Sequence, residues 1–211
     1  GENEHGWAEQ GKTVLIMDNL IAAGLAEEFI IVMDNGAAGG PRPAAGPAAP
    51  QGQRPQARPQ GQGQRPAGPM GMPSGWADGF KNTLINDIIP MVDAKYRTIA
   101  DKEHRAMAGL SMGGMQTRSI TLANPTVFSY VGMFSGGSFS VQDLENATDF
   151  KKTNKVLFMS CGSKENMGVM EAAENLKKIG YNAKGYISEG TAHEWHTWRR
   201  SLFEFAQLIF K

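Results

Sequence analysis

The 211-residue sequence carries 21 basic and 21 acidic side chains, so its formal net charge is zero, and 41% of its residues are hydrophobic. This balance gives no indication of a nucleic-acid partner or an anionic membrane surface. No apolar run reaches the roughly 18 residues of a membrane span. The single cysteine, Cys161, excludes an internal disulfide and a cysteine-rich metal site. The chain is long enough to bury a core as one globular domain, residues 1–211.

A change of composition marks residues 36–73 as an insertion. This segment holds nine of the eleven prolines and four arginines, and it has no acidic residue. Its apolar surface is too small to offset the entropy lost on ordering. The composition therefore predicts a disordered or polyproline-like insertion. The functional alternative is a basic arm that contacts a polysaccharide or a partner protein.

Outside the insertion, short apolar runs alternate with helical patterns. The sequence predicts a buried strand at 29–33, then a helix at 79–96 that Pro90 should kink. Further strands are predicted near 105–108, 130–134, 156–160 and 184–187. Helices are predicted at 112–123, at 169–179 and from Trp195 to the C-terminus. This alternation predicts an α/β fold, with a mostly parallel sheet and helices on both faces.

Three polar residues follow the carboxyl ends of predicted strands, where sites form in parallel sheets. Ser111 stands in Gly109-Leu110-Ser111-Met112-Gly113, which fits the pattern G-x-S-x-G, while Glu165 and His193 follow later strands. The chain order serine, acid, histidine is that of the α/β-hydrolases. A serine hydroxyl needs an imidazole to accept its proton, and a carboxylate orients that imidazole. The sequence therefore predicts Ser111, Glu165 and His193 as a catalytic triad.

Each of these residues also has a purely structural interpretation. Ser111 could cap the following helix, because serine is a favoured N-cap residue. Glu165 could be a solvated loop carboxylate. His193 has two rivals: His196, which should fall inside the last helix, and His104, which should lie at the amino end of its strand.

The residues around Ser111 have predicted roles of their own. Gly109 and Gly113 should allow a sharp turn that lifts Ser111 off the sheet, and close packing of strand against helix. The backbone amide of Met112 starts the helix, so it is the expected first donor to an oxyanion.

Several stretches together resemble the feruloyl and acetyl-xylan esterases of carbohydrate esterase family 1, within the esterase-D group of α/β-hydrolases. They include "GWAEQGK", "FIIVMDNG", "EHRAMAGLSMGG", "LFMSCGSKEN" and "AHEWHTW". The resemblance implies a serine esterase that hydrolyses feruloyl or acetyl esters on plant xylan through an acyl-enzyme. It implies no metal or organic cofactor, and it places Ser111, Glu165 and His193 at the family's triad positions.

Two departures from the family pattern stand out. The acid is usually aspartate, whereas Glu165 stands here. The family also has strands before "GENEHGW" that end in an LHG-x-G loop, which supplies the second oxyanion amide. The resemblance therefore implies an N-terminally incomplete hydrolase domain. Trp76, Phe80 and Trp195 are expected walls for a phenolic acyl group, with ordinary packing as the alternative, and Trp198 is expected to pack the final helix against the sheet.

Alternative functions remain open at this point. The same fold serves S-formylglutathione hydrolases and mycolyl-type acyltransferases, and a non-catalytic carbohydrate-binding relative would share the motifs. The resemblance implies feruloylated or acetylated arabinoxylan as the partner, with no nucleic acid and no membrane. It also allows fusion to other carbohydrate-active modules. An enzyme acting on a plant polymer is expected to be secreted or periplasmic.

Overall fold

The computed structural model describes residues 3–36 and 75–211. The predicted insertion therefore lies, apart from Gly36, outside the described residues. The helices are α1 (Gly6–Glu9), α2 (Thr13–Ala22), α3 (Asp78–Thr83), α4 (Ile89–Lys95), α5 (Met112–Ala123), α6 (Val141–Glu145), α7 (Thr148–Thr153), α8 (Val169–Lys178) and α9 (Trp195–Ala206). Within the described ranges, no helix combines the length and the apolar character needed to span a membrane.

Within the described residues, four parallel strands form the sheet, in the order in which they occur along the chain. They are β1 (Ala106–Leu110), β2 (Tyr130–Phe134), β3 (Val156–Gly162) and β4 (Ala183–Ser188). Leu110 pairs with Phe134, and Phe134 pairs with Ser160, so the carboxyl ends of the strands are aligned. The predicted α/β fold with a parallel sheet is confirmed.

Helices cover both faces of this sheet, because successive strand residues point to opposite sides. On one face Val131, Met133 and Leu157 pack in a cluster with Leu176 of α8. On the other face Tyr130, Phe134 and Phe158 pack in a cluster with Trp198 and Phe205 of α9. The central strands β2 and β3 are buried along their whole length. Their near-continuous apolar sequences are therefore those of strands covered on both sides.

The predicted strand at 29–33 is wrong. The segment forms no ladder with any described residue, and Ile30, Ile31 and Val32 are 51%, 39% and 51% exposed. The Phe29 ring contacts that of Phe210, and the Gly36 carbonyl, three residues beyond the segment, accepts a hydrogen bond from Gln116. An apolar run becomes a strand only where another strand satisfies its backbone groups, and sequence pattern alone cannot supply that partner.

The predicted helix at 79–96 is helical, but a π-helical turn at Leu84–Ile88 divides it between α3 and α4. The Ile89 amide donates to the Leu84 carbonyl, five residues back. Pro90 follows directly in the first turn of α4, where its missing amide costs no bond of that helix. The change of winding therefore lies just before the proline. Leu84, Ile85 and their neighbours still form the predicted apolar face, packed on a cluster around Ile120.

Short helices account for most of what the hydrophobic pattern did not predict. Helices α1, α2, α6 and α7 have no predicted counterpart, and α9 ends at Ala206 rather than at the C-terminus. For α6 a local signal exists, since the Ser140 side chain and the Asp143 side chain form a capping box. Helices α1, α6 and α7 have only four to six residues, too few apolar positions to establish a helical period, whereas α2 is as long as the predicted α8.

Candidate active site

The backbone ladder of the sheet continues one residue beyond two of the strands. The Ser111 amide donates to the Phe134 carbonyl at 2.8 Å, and the Ser135 amide donates to the Ser160 carbonyl at 2.7 Å. These bonds fix the first residue after β1 and the first residue after β2 at the carboxyl edge of the sheet. The loops after β3 and β4 reach the same edge, and they carry Glu165 and His193.

Ser111 occupies a sharp strand-to-helix turn with φ 51° and ψ −120°. A non-glycine residue at positive φ is strained, and such strain concentrates at functional sites. A Cβ on Gly109 would collide with the backbone of Gly113, so β1 and α5 approach too closely for a side chain there. A Cβ on Gly114 would lie 2.8 Å from the Gly136 Cα atom. A Cβ on Gly113 would meet nothing within 4 Å, so the packing role predicted for Gly113 belongs to Gly114.

This difference between neighbouring glycines gives a stability prediction. Gly109→Ala should destabilise the protein by at least about 2 kcal/mol, because backbone atoms must move to admit the methyl group. Gly113→Ala, the matched control, should be neutral or stabilising by up to about 1 kcal/mol, since alanine favours helix and the space is open. Urea unfolding of both variants measures the difference, and equal midpoints would contradict this account of the turn.

A chain of hydrogen bonds joins the three residues that the sequence predicted as a triad. His193 Nε2 lies 2.7 Å from Ser111 Oγ, and His193 Nδ1 lies 2.7 Å from Glu165 Oε1. The Ser111 side chain makes no capping bond to α5, although Ser111 occupies the N-cap position. The capping interpretation of its hydroxyl is therefore wrong, because that hydroxyl is directed to the imidazole.

Glu165 is held in one orientation by donors on both carboxylate oxygens. Its side chain is 6% exposed, and Oε2 accepts hydrogen bonds from the Gly162 amide at 2.6 Å and from the Ser135 hydroxyl at 2.7 Å. Burial raises the pKa of Glu165, but the bonds from Gly162, Ser135 and His193 outweigh burial and lower the pKa overall. The carboxylate therefore stays ionised, and it is not a solvated loop residue.

The loop that carries His193 is tied to the loop that carries Glu165. The Lys164 amide donates to the Thr191 carbonyl at 3.0 Å, and the Thr197 hydroxyl of α9 donates to the Ala192 carbonyl at 2.5 Å. A Cβ on Gly162 would collide with the Thr191 backbone, so glycine permits this approach. The imidazole of His193 is thereby supported from two sides, while its side chain remains 46% exposed and open to a substrate.

The two rival histidines lie elsewhere. His196 is exposed within α9. His104 lies in a short 3-10 turn (Lys102–His104) before β1, where its Nδ1 is 2.7 Å from Asp101 Oδ1. That turn is at the amino edge of the sheet, opposite to Ser111. The structure therefore places His193, and neither of these two rivals, beside Ser111.

The three predicted wall residues have different surroundings. Phe80 is 8% exposed and packs in a core cluster with Ile120 and Phe128, so its surroundings are those of the packing alternative. Trp195 is partly buried, and its ring contacts the rings of Trp7 at 5.4 Å and Trp198 at 5.2 Å. Trp76 is half-buried in the turn before α3. Phe80 faces the core because the apolar face of α3 and α4 continues through it.

Two residues of the site were missed or assigned another role by the sequence analysis. Ser135 contacts Glu165 directly, and Trp198, predicted only to pack, donates its indole N–H to the Ser135 hydroxyl at 3.1 Å. The predicted packing of Trp198 is also present, since its ring is 7% exposed among sheet residues. The signal for Ser135 was available: it directly follows β2, just as Ser111 follows β1.

The start of α5 provides a place for negative charge. Met112 is the first of its 12 residues, and the first amides of a helix have no acceptor within that helix. They carry the positive end of the helix dipole. The Met112 amide is adjacent to Ser111, which is where an oxyanion would form during attack on an ester.

Comparisons with known proteins agree with this geometry. The model of the family named Esterase matches residues 4–208. A curated endo-1,4-beta-xylanase/feruloyl esterase from Xylanibacter ruminicola is 42% identical over 212 residues, which cover 100% of this chain and 25% of that protein. The chain thus spans about a quarter of the length of this relative.

Solved structures show the same fold. A CE1 ferulic acid esterase from Anaeromyces mucronatus, in complex with ferulic acid, has a TM-score of 0.68 and 21% identity, covering 99% of this chain and 75% of that chain. The feruloyl esterase module from Clostridium thermocellum, complexed with sinapinate, has a TM-score of 0.66 and 18% identity, covering 100% and 74%. The chain therefore has the α/β-hydrolase fold and belongs to the Esterase family.

Proposed function

We propose that this chain is a serine esterase that hydrolyses hydroxycinnamoyl esters, feruloyl esters above all, carried by xylan. The observation that carries the proposal is the hydrogen-bonded series from Ser111 through His193 to Glu165. Because this series begins at Ser111, at the start of α5, and passes through the exposed imidazole of His193, it provides a nucleophile, a base and an oxyanion donor together. The 42% identity to a xylanase/feruloyl esterase favours the feruloyl group and the xylan polymer.

The reaction follows from the positions of the atoms. Ser111 Oγ attacks the ester carbonyl while His193 Nε2 takes the hydroxyl proton, and the Met112 amide donates to the developing oxyanion. His193 then gives this proton to the ester oxygen of the leaving sugar as the ester bond breaks, which releases the sugar as an alcohol and leaves an acyl-serine. A water molecule, deprotonated by the same imidazole, then attacks the acyl carbonyl, and His193 returns the proton to Ser111 Oγ, which releases the free acid and restores Ser111. Glu165 stays ionised throughout and stabilises the imidazolium.

The proposed substrate also bears on where the protein works. Xylan is a cell-wall polymer, so an enzyme that acts on it has to be outside the cytoplasm. We therefore include a secreted or periplasmic location in the proposal. Trp195, partly buried beside Trp198 in α9, remains our proposed contact for the aromatic acyl group, together with Trp76.

Paired substrates test the acyl group. We expect kcat/KM for methyl ferulate to be at least about tenfold above kcat/KM for an acetyl ester of xylan. This is the selectivity that one well-filled apolar pocket provides. Ferulate and acetate release are measured by chromatography, with Ser111→Ala as the blank. Acetate release alone would reassign the enzyme to acetyl esters. Binding to xylan without hydrolysis of either ester would favour a non-catalytic carbohydrate-binding protein.

A further inference from the structure

The Ser135 hydroxyl lies between an indole and the carboxylate of Glu165, and this arrangement fixes the direction of its proton. An indole N–H can only donate, so Trp198 Nε1 donates to Ser135 Oγ at 3.1 Å. The Ser135 proton is then free to point to Glu165 Oε2 at 2.7 Å, where an ionised carboxylate can only accept. The three groups form a one-way series of donors that ends on the acid.

The backbone holds Ser135 in that place. Its φ is 51°, and its amide is bonded to the Ser160 carbonyl at 2.7 Å, in the same way that the Ser111 amide is bonded to Phe134. Ser135 is 3% exposed and Trp198 is 7% exposed, so water has little access to compete for these hydrogen bonds. A strained, buried serine with a directed hydroxyl is more than a turn residue.

The two oxygens of Glu165 have separate partners. Oε1 lies against His193 Nδ1, while Oε2 is held by Ser135 and by the Gly162 amide. A glutamate has one more rotatable bond than an aspartate. Its carboxylate therefore needs more hydrogen bonds to hold it with one oxygen toward an imidazole. Trp198 also contacts the His193 ring edge-on, with centroids 5.2 Å apart. One indole therefore supports both the acid and the base.

We propose that Ser135, oriented by Trp198, is a positioning residue that makes Glu165 an effective third member of the triad. The proposal rests on the proposed esterase function, since it deepens the role of Glu165 within it. Ser135 acts through Glu165 and does not touch the reacting ester.

The test is a double-mutant cycle measured on methyl ferulate with the full chain. Ser135→Ala keeps the Cβ at the same φ and removes the hydroxyl alone. We expect it to lower kcat about 10- to 100-fold with little change in KM, as for loss of a hydrogen bond to a charged group. In a Glu165→Ala background the same change should have an effect of less than about twofold, because the acid it positions is gone.

Two further variants test whether the loss of kcat in Ser135→Ala is only a structural effect. Trp198→Phe keeps a ring against His193 and removes the indole donor. Its kcat should therefore also fall, by a smaller factor than in Ser135→Ala. Ser201→Ala removes another fully buried hydroxyl, one that donates to the Thr197 carbonyl, and should leave kcat unchanged. If Ser135→Ala does not fold, the Trp198→Phe cycle with Glu165→Ala decides in its place.

The outcomes separate this inference from the proposed function. Equal losses from Ser135→Ala with and without Glu165 would overturn the positioning role, as would an unchanged kcat. In either case Ser111→Ala would still abolish hydrolysis. If Ser111→Ala instead retained activity, the esterase proposal itself would fail, and the positioning role would fail with it.

Discussion

Replacing Ser111 with alanine should lower kcat/KM for methyl ferulate by about 10⁴-fold or more, because the acyl-enzyme route needs its hydroxyl. His193→Ala should cost a similar factor, since the hydroxyl 2.7 Å away then has no base. The double variant should be scarcely worse than either single one, because the residues act as a unit. Steady-state kinetics of the three variants measures this.

The controls for this prediction come from the same part of the chain. His196→Ala changes an exposed histidine three residues along, within α9, and should keep kcat/KM within about twofold. Circular dichroism establishes that each variant is folded. Additive losses, with the double variant far below both single variants, would show that Ser111 and His193 do not act in one step.

Glu165→Gln should lower kcat by about 10³- to 10⁴-fold, although it changes only one oxygen to an amide nitrogen. The Gly162 amide can only donate, so the new amide oxygen should face it and the NH₂ group should face His193 Nδ1. The imidazole must then accept at Nδ1 and carry its proton on Nε2. In that tautomer His193 cannot take the proton of Ser111.

Comparing kcat of Glu165→Gln with kcat of Glu165→Ala isolates the effect of the imidazole tautomer. Alanine removes the acid and leaves the imidazole tautomer free, so Glu165→Ala should lose no more kcat than Glu165→Gln. The measurement is kcat for both variants on methyl ferulate. A Glu165→Gln protein with more than about a tenth of the wild-type kcat would contradict the proposed role of the carboxylate.

Sequence reasoning predicted the parts of the fold that depend on local pattern. The helix at Met112–Ala123 and the strand at Tyr130–Phe134 have the predicted bounds, and β3, β4 and α8 differ only at their ends. The wrong strand at 29–33 has an equally apolar sequence, but none of the described residues pairs with it. Whether an apolar run is a strand depends on a partner elsewhere in the chain, which periodicity does not reveal.

Some contacts of the candidate site could also be predicted from the sequence, whereas others depend on the fold. The proximity of Ser111, Glu165 and His193 could be predicted from their places after strands, because aligned strand ends bring such residues together. Ser135 satisfies the same rule, but it lacks the surrounding G-x-S-x-G pattern that distinguishes Ser111. The link from Trp198 to Ser135 joins residues 63 positions apart, and only the fold brings them into contact. Phe80 is the opposite case, because the aromatic residue type alone does not show whether a ring faces the site or the core.

The most direct test of the central claim, that Ser111 is the nucleophile, is covalent labelling with a fluorophosphonate followed by peptide mapping. Trypsin should release residues 106–118 as one peptide, in which Ser111 is the single serine. We predict that the adduct lies on Ser111, is absent from Ser111→Ala and forms far more slowly in His193→Ala. An adduct at another residue, or no adduct on the folded protein, would contradict the serine-esterase account.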